Sequence, residues 1–421
     1  MSAADTLVYD VMVIGGGPGG STVANYLVRA GKKVLILERD TFPRFHIGES
    51  LLPYNRQIFE ELGLLERIEQ GGFMVKKGAQ IGLWNGKKRG RIIFEEGCFT
   101  EEKSAFQVER SRFDKILLDR VKELGGEVRE GTEVTGCETR RDSVSVSVKS
   151  GEEFCGRYLV DASGMVNFTG NRERMKKNYP GLRKIAVFTH YEGVEELQGH
   201  EAGDIQIFRH PKAWFWVIPL GEGRSSVGIV FDRELPKTSG LTPKEIFHDI
   251  LNRSPALVSR LKGASEAMPL QTMVDFSYAN KRLVSERLIR VGDSAGFLDP
   301  IFSSGVYLAM VMGKDAAGAL LDAMKRGGPA LSSGMRSYEK RTLRNMKIYR
   351  ELIVGFYRPS FFELLIHPEA QFFRLPCALN AIFAGRLDRA WALRWRVKAF
   401  QILSRIQRIF PIVPRTGLRE N

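Results

Sequence analysis

A glycine-rich turn near the N-terminus has the composition and spacing of a phosphate-binding site. Its glycines are Gly15, Gly16, Gly17, Gly19 and Gly20. The first, third and fifth of them fit the spacing G-x-G-x-x-G, and Glu38 follows 18 residues after the last. Glycine lets backbone N–H groups approach a pyrophosphate, and a carboxylate at this distance accepts hydrogen bonds from ribose hydroxyls. The pattern predicts that a dinucleotide binds here.

Two predicted strands and a predicted helix surround the glycine turn and position it. An apolar run over residues 11–14 predicts a strand, and a helix-like stretch continues from the turn to Arg29. Residues 33–37 predict a second strand that ends at Glu38. Strand, glycine turn, helix, strand and acidic residue follow one another in the order of a Rossmann-type unit.

Three later segments resemble the FAD-dependent aromatic hydroxylase superfamily. Gly292 and Asp293 follow the strand-like stretch RLIRVG and precede a helix that is predicted to begin near Ser304. The stretch FQVERSRFDKILLDRV contains Arg110 in an Arg-x-x-Phe-Asp pattern, and DASG covers residues 161–164. The resemblance implies that the dinucleotide is FAD and that Arg110, Gly292 and Asp293 contact it.

Three further segments are similar to those of the flavin-dependent halogenases. They are PRFHIGESLLP (residues 43–53), WFWVIP (214–219) and FLDPIFSSGV (297–306). The family's W-x-W-x-I-P pattern is matched by Trp214, Trp216, Ile218 and Pro219. The resemblance extends from about residue 8 to about residue 325.

This resemblance implies a sequence of chemical steps. Reduced FAD activates O₂, a bound chloride or bromide is oxidised to hypohalous acid, and that reagent reaches a lysine beside an electron-rich ring. The lysine corresponds to Lys76 in GGFMVKKGAQIGLW, with the neighbouring Lys77 as the alternative. A buried lysine has a lowered pKa, so it can polarise hypohalous acid as an ammonium or be halogenated as a neutral amine. Trp214 and Trp216 are expected to separate flavin from substrate as rigid walls.

The same resemblance implies the halide site and the remaining FAD contacts. The halide is expected at the backbone amides around Ser304 and Gly305, because a helix N-terminus attracts an anion. The further FAD contacts implied are Arg44, Glu49 and Val306. Tyr307 stands where the family often has histidine, which leaves the outer contacts of this loop open.

The predicted fold is α/β, a Rossmann-type FAD-binding domain of the aromatic hydroxylase superfamily with an inserted antiparallel β-sheet substrate domain. Residues 1–174 and 283–325 are predicted to form the FAD-binding domain. Residues 175–282 are predicted to form the substrate-side domain, because they contain short β-branched stretches and one helix near residues 242–254. Residues 326–421 are predicted to be a basic helical C-terminal segment.

The positive charge of the chain is concentrated in this last segment. The 421-residue chain has a formal net charge of +14, and residues 331–421 contain 17 Lys or Arg against 6 Asp or Glu. An amphipathic helix with a cationic outer face is predicted from apolar residues at helical spacing, Leu393, Val397, Phe400, Leu403, Ile406 and Phe410. The cationic face is either solvated, docks an acidic carrier protein or contacts an anionic membrane. No nucleic-acid-binding motif accompanies it, so no nucleic acid is expected as a partner.

Composition and motif content also bear on metal binding, on the location of the protein and on the source of its reduced cofactor. The chain is 43% hydrophobic and 27% charged, as in a globular protein that can bury a cofactor. No metal is expected from the spacing of the six histidines or of the four cysteines, Cys98, Cys137, Cys155 and Cys377. Without a leader or an apolar run of about 18 residues, a cytoplasmic location is expected. No second complete nucleotide motif follows the first, so FADH₂ is expected from a separate flavin reductase.

Other functions remain open on the sequence. An aromatic monooxygenase uses the same FAD frame, and an isoprenoid double-bond reductase of the geranylgeranyl reductase type has a related aromatic-x-Trp-x-Phe-Pro run. Trp214 with Ile218 favours the halogenase over the reductase, and alkene reduction has no role for Lys76. A catalytically inert FAD-binding or partner-docking protein is the alternative from a different class.

Overall fold

Two β-sheets and the helices packed on them make up most of the molecule. The structure is a computed structural model that describes residues 9–97, 101–367, 380–382, 385 and 390–418, with the backbone alone for residues 390–394. The α-helices are α1 (Pro18–Arg29), α2 (Asn55–Glu61), α3 (Leu65–Gln70), α4 (Arg110–Glu123), α5 (Phe168–Arg172), α6 (Leu235–Ser239), α7 (Pro243–Asn252), α8 (Pro255–Arg260), α9 (Ser304–Lys325), α10 (Ser333–Phe356), α11 (Pro359–Leu365) and α12 (Ala390–Ile409).

The first sheet has a parallel core. In sheet order its strands are β7 (Glu127–Arg129), β2 (Val34–Leu37), β1 (Tyr9–Ile14), β10 (Glu153–Asp161), β20 (Leu288–Arg290) and β19 (Val284–Ser285), with β9 (Val144–Val148) and β8 (Val134–Thr139) extending from β10. The five strands from β7 to β20 run parallel. Because α1 packs on β1 and β2, these two strands are apolar and buried, as in other parallel sheets. The predicted strand–helix–strand unit is confirmed.

The second sheet provides the opposite side of the site. In sheet order its strands are β16 (Ser265–Glu266), β12 (Lys184–Glu192), β15 (Arg224–Asp232), β14 (Ala213–Gly221), β13 (Ile205–His210), β4 (Gly78–Leu83) and β5 (Arg89–Ile93), with β17 (Gln271–Val274) paired to β12. All pairs are antiparallel except β13 with β4.

The strands β4 and β5 alter the predicted division of the chain. They lie in the range 1–174 that was predicted for the FAD-binding domain, yet they pair in the second sheet. The physical reason is that β4 supplies hydrogen-bond partners for the edge of β13, which would otherwise be unpaired. The boundaries proposed at residues 174 and 282 therefore do not coincide with the limits of the two sheets.

Two smaller sheets complete the set. Strand β3 (Met74–Lys76), which carries Lys76, pairs with β6 (Ala105–Gln107). The other small sheet consists of β11 (Lys176–Asn178), β18 (Tyr278–Asn280) and β21 (Gly296–Phe297). Strand β21 leads directly into the loop that was predicted to bind halide.

Strand β14 is buried on both faces, which explains its continuous apolar sequence. Trp214, Trp216 and Ile218 belong to the large core shared with the first sheet. Phe215 and Val217, which point the other way, pack in a second core with residues of α7 and α8. The alternation of a strand therefore distributes one apolar run between two cores.

Helices α10, α11 and α12 make up most of the described part of the C-terminal segment, as predicted, but the buried face predicted for its amphipathic helix is partly wrong. Val397 and Phe400 are buried, whereas 41% of Ile406 and 70% of Phe410 are exposed. Leu403 is partly buried, and the side chain of Leu393 lies outside the described residues. None of the described helices is long and apolar enough to cross a bilayer.

Two polar residues take the buried positions on α12. Gln407 Nε2 donates to Glu363 Oε2 and to the carbonyl of Val413, both at 2.9 Å, and Ser404 Oγ lies 3.1 Å from Ser360 Oγ. Because these hydrogen bonds satisfy the buried polar groups, the helix can turn a polar edge inward.

The packing of Trp216 on Gly228 gives a test of this fold. A Cβ on Gly228 would overlap the Trp216 ring, so Gly228→Ala is expected to lower the free energy of unfolding by about 1–3 kcal/mol. Gly318→Ala is the control, because this exposed glycine inside α9 has open space around it. It should raise stability by about 0.5–1 kcal/mol. Urea unfolding measures both, and equal effects would contradict the assigned packing.

Candidate active site

A cavity of about 530 Å³, called here the main cavity, lies between the glycine turn and the second sheet. It brings together most of the predicted site residues, namely Gly15, Gly17, Gly19, Glu38, Arg44, Glu49, Arg110, Trp214, Trp216, Gly292, Asp293, Gly305 and Val306. Gly16, Gly20, Lys76 and Ser304 are not part of its lining. The residues of the separate motifs thus meet around one space.

The glycines of the turn have two different reasons to be glycine. Gly15 has a φ of +98°, and a Cβ on Gly20 would overlap the Gly15 carbonyl, so the turn itself requires both. At Gly17 a Cβ would have only Arg44 Nη2 nearby, at 3.7 Å. Gly17 is the N-cap of α1, and no side chain caps this helix. An open, uncapped helix N-terminus in a cavity wall fits the pyrophosphate of FAD.

Glu38 is held at the cavity wall by the backbone. Its Oε2 accepts from the Gly16 N–H at 2.6 Å, and its Oε1 accepts from the Asp40 N–H at 2.9 Å. Each carboxylate oxygen retains a lone pair that can accept from a ribose hydroxyl.

Two arginines converge on one buried carboxylate beside the cavity. Arg110 donates from Nε and Nη2 to Asp114 at 2.7 and 2.9 Å, and Arg44 Nη1 donates to Asp114 at 3.0 Å. Burial alone would raise the pKa of Asp114, but Arg110 and Arg44 hold it below its usual range. Arg110 Nη1 also donates to the Ile47 carbonyl at 2.8 Å, which fastens the loop containing Glu49 to α4. Arg44 and Arg110, held in fixed orientations in the cavity wall, would attract an anionic cofactor.

Asp293 adds a carboxyl with an unusual pKa. Gly292, with a φ of +63°, turns the chain after β20 so that Asp293 lines the cavity. Desolvation raises the pKa of Asp293 to about 6, although Arg110 opposes the change.

Glu49 has one oxygen without a partner. Its Oε1 lies 2.5 Å from His190 Nε2, whereas its buried Oε2 has no hydrogen-bond partner in the described part of the chain. Burial lowers the pKa of His190, but the Glu49 carboxylate outweighs this effect and raises it. A hydroxyl or N–H of bound FAD would satisfy the orphaned oxygen, so the residues present fit this cofactor.

Lys76 is buried directly behind the wall of the main cavity. Its Nζ donates to Ser50 Oγ at 2.9 Å and to the Leu51 carbonyl at 3.0 Å, and Ser50 lines the cavity. Burial lowers the pKa of Lys76 to about 7, with Asp204 opposing the change. Both the ammonium and the amine are therefore accessible near neutral pH. Lys77 is exposed and has no such environment.

Trp214 and Trp216 form a continuous stretch of the cavity wall, with ring centroids 5.8 Å apart. Trp216 Nε1 donates to Ser226 Oγ at 3.2 Å, and Trp214 Nε1 donates to the Tyr357 hydroxyl at 3.0 Å. Because both N–H groups have partners, the two rings are held in one orientation.

Two residues that were not predicted from the sequence support this wall. The Tyr357 hydroxyl donates to Asp299 Oδ2 at 2.8 Å, and Asp299 Oδ1 accepts from the Ile301 N–H at 3.0 Å. Burial raises the pKa of Asp299 to about 6. Asp299 lies inside FLDPIFSSGV and was open to prediction from that motif, whereas Tyr357, just after α10, belongs to no motif. Together they connect Trp214 with the predicted halide loop.

The predicted halide loop leads into the N-terminus of helix α9, which has no side-chain cap. Helix α9 begins at Ser304, and its N-cap Ser303, with a φ of +53°, makes no side-chain cap. Ser303, Gly305 and Val306 line the cavity, whereas the Ser304 side chain is buried outside it. The first amides of α9 lack intrahelical partners, which suits a small anion.

Tyr307, whose contacts the sequence left open, packs away from the cavity. Its ring meets Tyr54 edge-on at a centroid distance of 5.9 Å, and its hydroxyl donates to the Gly385 carbonyl. The residue therefore joins the loop to the C-terminal segment.

Comparison with known proteins gives matches to flavoenzymes. Residues 8–350 match a family model for an FAD binding domain. The 1H-pyrrole-2-carbonyl-(peptidyl-carrier protein) chlorinase of Pseudomonas fluorescens is 32% identical, with 83% of this chain and 84% of that protein covered. Tryptophan 2-halogenase of Chondromyces crocatus is 34% identical, with 71% of this chain and 58% of that protein covered. The structure of flavin-dependent brominase Bmp2 superposes with a TM-score of 0.83 at 30% identity, covering 95% of this chain and 100% of that one.

The open space at Gly17 gives a test of the FAD site. Gly17→Asp is expected to weaken FAD binding at least about tenfold, since its carboxylate would repel the pyrophosphate. The stability of the apoprotein should not fall, because Asp is a good helix N-cap. Flavin fluorescence gives Kd, and urea unfolding gives stability.

The control for this experiment is Gly17→Asn, which adds a similar cap and a similar volume without the charge. It should weaken FAD binding less than Gly17→Asp. Equal dissociation constants for the two variants would contradict the assigned position of the pyrophosphate.

Proposed function

The chain belongs to the flavin-dependent halogenases, which are FAD-dependent oxidoreductases, and on that basis we propose its reaction and the roles of its residues. The proposed reaction halogenates an electron-rich aromatic ring, a phenol, pyrrole or indole, with FADH₂, O₂ and chloride or bromide. Hypohalous acid is the proposed halogenating reagent.

The observation that carries this proposal is the buried amine of Lys76. When bound, FAD supplies the electrons that activate O₂ for oxidation of the halide. Lys76 Nζ is held on Ser50 and Leu51 immediately behind the cavity wall. As an ammonium it would donate a hydrogen bond to the oxygen of hypohalous acid, which makes the halogen more electrophilic. Its pKa of about 7 keeps this proton available at neutral pH.

We propose further roles for the two tryptophans, the first amides of α9 and the glycine motif. Trp214 and Trp216, with both indole N–H groups bonded, present rigid faces that would keep the ring of the substrate from the flavin. The first amides of α9, next to Gly305, would hold the halide. The motif Gly15 to Gly20 is the only complete dinucleotide fingerprint in the sequence, which supports delivery of FADH₂ by a separate flavin reductase.

The form of the substrate is proposed from the relatives. The chlorinase of Pseudomonas fluorescens is named for a pyrrole on a peptidyl-carrier protein, and the chain covers 84% of it. The chain covers only 58% of the tryptophan halogenase. We therefore favour a carrier-bound ring over a free amino acid.

A cytoplasmic location remains part of the proposal. Cys137 and Cys155 are free thiols, which supports a reducing compartment, while Cys98 and Cys377 lie outside the described residues.

The reaction is tested by reconstitution with FAD, a flavin reductase, NADH, O₂ and either chloride or bromide. Free and carrier-bound phenols, pyrroles and indoles serve as substrates, and mass spectrometry detects the isotope pattern of the halogen. We expect a halogenated product. Hydroxylated product without halogenated product would overturn the proposal in favour of a monooxygenase.

Lys76→Met tests the role of the lysine. It should lower halogenation at least about 100-fold, because the hydrogen-bond donor is lost, while FADH₂ oxidation by O₂ continues. Lys77→Met is the matched control and should keep halogenation. Retained halogenation in Lys76→Met would contradict the assignment, and loss in Lys77→Met alone would transfer the role to Lys77.

The pKa of Lys76 predicts how halogenation depends on pH. Burial lowers this pKa from 10.5 to about 7, so the ammonium is lost as the pH rises through about 7. If the ammonium is the active form, halogenation per FADH₂ consumed falls over the same range, and product quantification from pH 6 to 9 measures it. A rise instead would mean that the neutral amine reacts.

A further inference from the structure

We propose that a cationic groove beside the C-terminal helices docks an acidic carrier protein and binds the phosphate of its prosthetic arm. The proposal rests on the carrier-bound substrate of the proposed function. It specifies which surface of this chain meets the carrier and which side of the site the tethered ring approaches.

The groove is a cavity of about 800 Å³ between the end of the second sheet and helices α11 and α12. Its cations, which define the cationic groove, are Lys184, Arg209, Lys212, Arg358, Arg405 and Arg408. A neighbouring cavity of about 430 Å³ shares Arg358 and Arg405 with it and continues along the same surface. An extended, negatively charged molecule would fit this shape.

Most of this charge is uncompensated within the described residues. Lys212, Arg358, Arg405 and Arg408 are exposed, and none of the ion pairs found in the described part of the chain involves them. Asp232, an acidic residue in the lining, pairs with Lys184 at 2.5 Å. The groove therefore has an excess of positive charge that favours an acidic partner and accelerates its association.

Arg209 is a second, independent observation that points to an anion. Only 5% of this residue is exposed, and its Nε has no hydrogen-bond partner among the residues that the structure describes. Its Nη1 donates to the carbonyls of His210 and Ala213 at 3.2 and 3.0 Å. A buried guanidinium without a carboxylate partner is costly, and a phosphate in the groove would offset part of that cost.

The groove adjoins the wall of the main cavity. Tyr357 lines the groove, and its hydroxyl accepts from Trp214 Nε1 and donates to Asp299. Trp214 in turn lines the main cavity. An arm held by phosphate in the groove would therefore bring its ring to the main cavity at Trp214.

An exposed apolar strip beside the groove suits a protein partner better than a free phosphate. Ile406 and Ile409 of α12 and the following Phe410 are 41%, 65% and 70% exposed, and Ile409 also lines the groove. Apolar residues next to a cationic rim are typical of a protein interface. The strip thus favours a carrier protein as the occupant.

Binding tests the surface without any catalytic step. The probe is an acidic peptidyl carrier protein, in its holo form with the phosphate-linked arm and in its apo form without it. We expect the holo form to bind more tightly, and Arg405→Glu with Arg408→Glu to weaken its binding at least about tenfold. The matched control, Lys244→Glu with Lys262→Glu, makes the same charge change at exposed residues outside the groove and should bind as the wild type does.

Activity tests whether docking serves halogenation. The groove variant should lower kcat/KM for the carrier-bound ring at least about tenfold more than for the same ring as a small thioester without phosphate. Circular dichroism and FAD content establish that the variant is folded. Equal losses for both substrates would overturn the proposal, because they indicate a structural role.

Other outcomes also decide the proposal. It is overturned by equal binding of holo and apo carrier, by equal effects of the groove and control variants, or by carrier-independent binding to phosphatidylserine vesicles that the groove variant abolishes. If no ring is halogenated in any form while the holo carrier still binds through the groove, the proposed function fails and the docking surface stands.

Discussion

The contact between Trp216 and Gly228 is the constraint on which the second sheet's contribution to the site depends. Gly228 lies opposite Trp216 on β15, and any side chain there would occupy the volume of the indole. With glycine in place, both tryptophans turn to the face shared with the first sheet, where they form the wall of the main cavity. Phe215 and Val217 pack in the other core, so a shift of the strand register by one residue would turn the tryptophans away from the main cavity.

Two buried cations lie close to this wall, and both are incompletely compensated within the described residues. Lys76 has two neutral acceptors, and burial lowers its pKa to about 7. Arg209 is bonded to backbone carbonyls, and no described residue bonds its Nε. A lysine can respond to burial by losing its proton near neutral pH, whereas an arginine keeps its charge and needs an anion. This difference underlies the proposed division into a proton donor beside the cavity and an anion site in the groove.

The C-terminal helices belong to the site because Tyr357 joins them to it. One hydroxyl connects Trp214 of the second sheet with Asp299 of the predicted halide loop. The sequence suggested an amphipathic helix in this region and assigned Ile406 and Phe410 to its buried face. The structure buries Gln407 and Ser404 instead, because Glu363 and Ser360 on α11 provide their hydrogen bonds. A periodicity argument treats polar residues as solvated and cannot anticipate such partners.

The sequence by itself determined the class of fold and a dinucleotide site, because the glycine turn and Glu38 impose requirements that act over short stretches of chain. That the dinucleotide is FAD was implied by the resemblance of the later motifs to known flavoenzymes. Backbone amides must approach a pyrophosphate, and only glycine at fixed spacing allows this. Tertiary structure alone showed that Lys76 is buried and Lys77 exposed, since Ser50 and Leu51, which bond the Lys76 amine, come from a distant segment. Tertiary structure alone also showed that β4 and β5 pair in the second sheet and that Tyr357 bonds Trp214. Desolvation, edge pairing and cross-chain hydrogen bonds arise between residues far apart in sequence, and no local pattern encodes them.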